Sequence, residues 1–250
     1  MPDGLPPGGT VTAQGGRWDG REVLWTSDVS QPDAGVIWSR LYDQHATTGL
    51  YPLLLDAPRV VGSPPPRPWR SGELGFTPKE SIDALDPNLE LRGLWFVTDD
   101  DIEYDPLKPF EWPGLATPGI PDEDEPDDVA RWLAQELVGE SNWLIGLVPA
   151  KRGADAVTLC GWQGAANYYN SSAVISSVLR SWEDRFGARV VGIGFDTLEL
   201  SVSAPPRTHA HALHLAIEHQ ALCPDNFADD TLGTYADTLI NRGSWQFWWD

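Results

Sequence analysis

The chain has only two cysteines, Cys160 and Cys223, and a single methionine in 250 residues. With no CxxC pair, the usual thiol-based metal and redox motifs are excluded. Two thiols so far apart in a chain without an export signal read as reduced rather than bridged. Basic residues are also scarce: 17 Lys and Arg stand against 37 Asp and Glu, a formal net charge of −20. Such a surface repels phosphate backbones and anionic lipid headgroups, so neither nucleic acid nor a membrane is an expected partner. No apolar run approaches the roughly 18 residues of a membrane-spanning helix. Residues 1–10 (MPDGLPPGGT) lack both a basic n-region and an apolar h-region, so no secretory leader is expected and the reading is cytoplasmic. Also missing are a Gly-rich phosphate loop between a strand and a helix and a Gly-x-Ser-x-Gly elbow. No cofactor is implied.

What is present argues for a folded protein. Hydrophobic residues make up 41% of the chain, which supplies a sizeable core. Thirteen tryptophans exceed what packing alone requires, so some are expected to line a groove or a seam. Charge is uneven: residues 1–128 carry a net −15 and residues 129–250 a net −5. The sharpest break is Pro121-Asp-Glu-Asp-Glu-Pro-Asp-Asp128, whose like charges repel and extend the chain. It reads as an acidic linker (121–128) between an N-terminal region (1–120, partly irregular) and a C-terminal domain (129–250). The acids at its end also favour a helix starting at about residue 129.

The N-terminal region reads as a smaller Pro/Trp-rich α+β unit. Strands are expected at 22–26, 50–55 and 91–97, a helix at 36–45 and a Pro-rich surface segment at 63–68. In the C-terminal part, 143–148 reads as a strand, with a turn at 151–153 leading into a hairpin partner at 156–161. A helix follows from Ser171 or Ser172 to Phe186, because Ile175, Val178, Leu179, Trp182 and Phe186 form one stripe. Gly187 supplies its stop. Strands at 189–195 and 198–203, a helix from Thr208 to about 222, a shorter helix at 231–241 and a last strand at 245–249 complete the order ββαββααβ. This is an α+β class, a mixed or antiparallel sheet with helices on one face. Period-2 alternation puts Trp245, Phe247 and Trp249 on the core face, near Trp182 or His219, and Trp248 on the other, against the N-terminal region.

Three segments occur together here: Ser181-Trp-Glu-Asp-Arg-Phe-Gly-Ala188, then Glu218-His219 with Cys223-Pro-Asp225, and the closing Trp245-Gln-Phe-Trp-Trp-Asp250. With Gly161-Trp-Gln-Gly164 and Asn167, they resemble the bacterial family known as domain of unknown function 4253 over about residues 140–250. Thr48-Gly-Leu-Tyr-Pro-Leu-Leu-Leu55 is similar to the upstream region of actinobacterial members. The resemblance implies no established activity and carries over no catalytic residue.

Candidate chemistry centres on the helix after Thr208. His211, His214 and Glu218 share one edge of it and could hold a metal, although His214-Leu-Ala-Ile-Glu218-His219 has one residue too many for an inverted zinc-protease motif. The alternative is a solvated polar edge. His219 points instead into an apolar face made by Ala212, Leu215, Ala216, Leu222 and Cys223. With Glu218, Cys223 and Asp225 it is a candidate catalytic set, since a Cys–His pair can make a thiolate nucleophile. The alternative is a core histidine beside a buried thiol. Glu183 and Asp184 oppose the local helix dipole, which points to solvation, to partners or to a function. Trp162, Asn167, Glu183 and Arg185 are therefore candidate binding residues, with the Asn167-Tyr-Tyr-Asn170 and Trp162 loops expected to line a pocket. Two function classes stay open. One is a protein-binding module, immunity-like in one version, that recognises a basic protein. The other is a hydrolase-like enzyme built on Glu218, His219 and Cys223. They separate on whether His219 opens to a cleft or is sealed in the core.

Overall fold

The computed structural model describes residues 1–15, 18–57, 67–95, 107–121, 124–139, 142–227 and 230–250. Its centre is a run that alternates cleanly. In β3 (Leu50–Asp56), Tyr51, Leu53 and Leu55 enter one core, whereas Leu54 enters another. In β4 (Trp143–Pro149), Leu144 and Val148 join the first core, and Trp143, Ile145 and Leu147 the second. A sheet buried on both faces in this way must carry helices on both. On the second face lie α1 (Ala34–Thr48) and α4 (Pro126–Leu137). Gly35 lets them close, because a Cβ there would sit 2.4 Å from the Ala134 carbonyl oxygen. The first face carries α5 (Gly153–Leu159), α6 (Ala173–Phe186), α7 (His209–Leu222) and α8 (Leu232–Leu239). The helices that follow β4 thus share one face, as their order implied, and α1 and α4 from earlier in the chain cover the other.

With β1 (Gly8–Thr12), β2 (Glu22–Ser27), β5 (Arg189–Ile193), β6 (Thr197–Ser201) and β7 (Ser244–Trp248), the sheet has seven strands in the order β1-β2-β4-β3-β5-β6-β7. Only β3 and β5 pair in parallel; the other neighbours are antiparallel, so the sheet is mixed. β3 comes from the first half of the chain yet lies between β4 and β5 of the second, so one sheet spans the 121–128 boundary. α4 begins at Pro126, inside the acidic stretch, with Asp127 and Asp128 in its first turn.

Two predicted strands are helices. Residues 91–95 belong to α3 (Pro87–Trp95), where Leu91 and Trp95 are buried one turn apart. The Asp86 carboxylate accepts from the Asn88 and Leu89 amides at 2.9 and 3.1 Å, a side-chain cap that the Asp-Pro-Asn sequence was signalling. A short helix, α2 (Lys79–Asp83), precedes it. Residues 153–159 form α5, so β4 has no hairpin partner there and pairs with β2 and β3 instead. Gly153 to Thr158 are all buried, which removes the polar stripe that marks a helix in sequence. The C-terminal order is therefore βααββααβ. The Pro-rich residues 63–66, and residues 96 and 97 of the expected strand, lie outside the described residues. The tryptophans mostly serve the core: Trp38, Trp69, Trp162, Trp182 and Trp249 are fully buried.

Candidate functional site

Helix α7 starts where Thr208 was expected to cap it, and its polar edge is occupied rather than solvated. His211 Nε2 lies 2.8 Å from the Thr117 carbonyl oxygen and His214 Nε2 lies 3.0 Å from that of Gly114. Glu218 Oε1 accepts from the Ala116 amide at 2.6 Å. The three residues thus clip one segment, 114–117, along the helix, with their ring nitrogens and carboxylate turned to backbone. Among the described residues no group of three or more His, Cys, Asp and Glu is placed to share an ion. Arg185, at the end of α6, completes the clip. It donates to the Ala116 carbonyl at 2.8 Å and forms a fork on Glu218 at 2.9 and 2.6 Å, while its own carbonyl accepts from the Gly119 amide. The Trp182 indole adds a further bond to Glu218 at 2.8 Å.

His219 is sealed. Its ring packs among Trp182, Trp245 and Phe247 at centroid distances of 4.8, 4.8 and 4.9 Å. Nδ1 is 3.1 Å from the Tyr235 hydroxyl, and Nε2 has no partner. Burial, helped by the positive charge of Arg185, lowers its pKa to about 3, so the ring is neutral. Burial pushes the Cys223 thiol up to about 12, and its proton goes to the Trp248 carbonyl at 2.9 Å. The two groups are therefore a neutral imidazole and a protonated thiol held by different partners, not a thiolate nucleophile. Asp225 faces away, accepting from the Tyr168 hydroxyl at 2.5 Å and the Asp250 amide at 2.9 Å. Glu218, His219, Cys223 and Asp225 are near in sequence but diverge in space, each held by different partners.

This arrangement predicts a pH dependence. The folded pKa of His219 lies below the unfolded value near 6.5, so unfolding takes up a proton between about pH 6.5 and 3. The stability it contributes is complete above pH 6.5 and is lost as pH falls. At pH 5 the loss is about 2 kcal/mol, from roughly 1.4 kcal/mol per unit. His219→Phe should flatten the wild-type decline between pH 7 and 5 by about that amount in urea titrations. Parallel curves for the two proteins would refute this.

The binding candidates also separate. Glu183 accepts from Arg152 Nε at 2.6 Å and from the Ala154 amide at 2.8 Å, so it caps α5. Asp184 takes the other arm of Arg152 at 2.7 Å. Both acids are thus held by a partner, which explains their place at a disfavoured helix end. Asn167 donates to the Asp250 carbonyl at 2.8 Å. Trp162 is buried, and its indole donates to the Gly194 carbonyl at 2.9 Å. Its loop lines a cleft of about 300 Å³ together with Tyr169 and Asn170, whereas Asn167 and Tyr168 of the expected segment do not line it. The Gly161-Trp-Gln-Gly164 sequence follows from this packing. Gly161 has φ 79°, and a Cβ on it would sit 2.1 Å from the Gly75 carbonyl oxygen. On Gly164 a Cβ would strike the Trp162 ring at 2.2 Å.

Sequence reasoning missed Asn226, whose amide closes the free edge of β7. Its Oδ1 accepts from the Trp248 amide at 3.0 Å and its Nδ2 donates to the Gln246 carbonyl at 2.8 Å. No signal in the sequence marks this role. Trp248 does project from the face opposite Trp245 and Phe247, but it is 41% exposed rather than packed. Phe195 and Tyr168 join it on the surface at 44% and 41%.

The fold and these contacts define an α+β protein with helices on an open seven-stranded sheet. The family model described as Domain of unknown function (DUF4253) matches residues 144–250, the C-terminal part of the chain, on the stretch that carries the motifs quoted above. No curated protein and no solved structure matches it. No helix among the described residues is long and apolar enough to cross a membrane.

Proposed function

We propose that this protein is a binding module whose partner is a basic protein segment, held at the end of the sheet where the β5–β6 turn meets the close of β7. The observation that carries this reading is the exposure of Tyr168, Phe195 and Trp248 in one hydrogen-bonded neighbourhood rich in carboxylates. Thr197 pairs with Trp248, and the Trp249 amide donates to the Asp196 carbonyl at 3.0 Å. Tyr168, Asp225 and Asp250 are linked as described. Exposed aromatic faces flanked by acids suit Lys and Arg side chains. The chain's own Arg67, paired with Glu73, lies 4.6 Å over the Phe195 ring, so a partner's cation at Phe195 would take the place of Arg67. The net charge of −20 would steer a cationic partner toward the protein. Because Asn226 occupies the edge of β7, recognition there would run through side chains rather than by strand addition. An immunity-like role against a basic toxin is one form this would take.

A deca-arginine peptide titrated into 15N-labelled protein tests it. Shift changes should concentrate at residues 167–168, 195–197, 225–226 and 246–250. Phe195→Ala with Trp248→Ala should weaken binding about tenfold, the sum of two exposed cation–π contacts. Changes spread evenly over the acidic surface, or an affinity indifferent to the double substitution, would refute it.

A further inference from the structure

The cleft beside Trp162 has walls of an unusual kind for a chain of net charge −20. Among the described residues, no Asp, Glu, Lys, Arg or His lines it. Its polar groups include Thr77, Gln163, Asn170 and Ser172, whose side chains make no hydrogen bond with another described residue, and Ser171, whose hydroxyl accepts from the Ala173 amide at 3.2 Å. Among its apolar lining residues Phe76 is partly exposed, whereas Ile175 and Trp162 are buried behind the wall. Phe76 is fixed from outside the cleft, with the Arg21 guanidinium 4.2 Å from its ring and Trp18 at 4.7 Å. The Tyr169 hydroxyl is already committed to the Leu222 carbonyl. The back of the cleft is rigid, since the Gly75 amide donates to the Gly161 carbonyl at 2.8 Å across the close glycine contact.

We infer that this cleft binds an uncharged, hydroxyl-bearing ligand of monosaccharide size. Its volume of about 300 Å³ falls at the lower end of small-ligand sites. A phosphate or carboxylate would meet no counter-charge here and would be repelled by the protein's overall field. An amine would meet no carboxylate. Amide and hydroxyl side chains both donate and accept, which matches a sugar hydroxyl that must do the same. Phe76 would cover the C–H face of the ring. Tyr168, Phe195 and Trp248 do not line this cleft, so the basic-partner surface stands or falls separately.

Saturation-transfer NMR on the full chain decides the matter, with glucose, galactose, mannose and N-acetylglucosamine as probes and adenosine and inorganic phosphate as the contrasting arms. The expected result is saturable binding of at least one sugar, weakened about tenfold or more by Gln163→Leu with Asn170→Leu. Both side chains are exposed, so the variant should keep the wild-type melting temperature. Ser172→Ala provides a second, milder variant with a smaller loss in the same direction. Binding of adenosine or phosphate alone, no saturable sugar binding, or sugar binding unchanged in both variants would overturn the inference.

Discussion

Removing residues 245–250 is expected to unfold the sheet rather than trim it. Trp245, Phe247 and Trp249 are 3%, 0% and 1% exposed, and β7 pairs with β6 along its whole length. Phe247 stacks on Trp182 at 5.3 Å, and Trp249 meets Trp162 edge-on at 5.6 Å. Losing each buried aromatic costs roughly 3–5 kcal/mol, and three together match or exceed a typical total of about 5–15 kcal/mol. The truncated chain should show no cooperative thermal transition and no near-ultraviolet circular dichroism from packed tryptophan. Single substitutions should follow the strand period: Phe247→Ala strongly destabilising, Trp248→Ala within about 0.5 kcal/mol because its side chain is half in water. A truncated protein that melts where the full chain does would overturn the assignment of this strand to the core.

Glu218→Gln is expected to cost about 3–5 kcal/mol, the second largest effect. The carboxylate is fully buried and accepts four bonds, two from Arg185 and one each from Trp182 and the Ala116 amide. An amide of the same shape leaves the largely buried guanidinium without its counter-charge and turns an NH2 toward donors. The segment 114–119 should loosen with it, because the same pair holds that backbone. Changing both partners, Arg185→Leu with Glu218→Leu, should recover part of the loss, since a buried pair often exceeds an apolar replacement only slightly if at all. Urea midpoints for the three variants check this, together with the rate of proteolysis near residue 115. A Glu218→Gln cost under about 1 kcal/mol, or unchanged proteolysis near residue 115, would count against the clip.

Some elements were legible because their signals are local. The stripe Ile175, Val178, Leu179, Trp182 and Phe186, closed by Gly187, read correctly as α6, and its glycine adopts the left-handed cap at φ 61°. Thr208 read as a cap and is one; Thr231, read as the first residue of the shorter helix, is its cap. His219 read as pointing into an apolar face, which it does. α5 was not legible, since a helix buried all round presents the same apolar run as a strand. Nor was the state of the His211, His214 and Glu218 edge. A helical wheel shows which residues share an edge, but not that a segment about a hundred residues away will lie along it.

The chain alone, then, determined composition-level and short-range properties: a strongly acidic surface, the lack of a membrane-spanning run, the major helices of the second half and the alternating face of its last strand. Each depends on charge count or on periodicity within a dozen residues. Tertiary structure decided what depends on groups brought together from afar. It set β3 between β4 and β5, covered both faces of the sheet, and turned Glu183 into a cap and Glu218 into a clip. It also separated His219 and Cys223 from solvent, where burial keeps the ring neutral and the thiol protonated. Buried polar groups must find hydrogen-bond partners wherever the fold supplies them, and sequence spacing does not encode that choice.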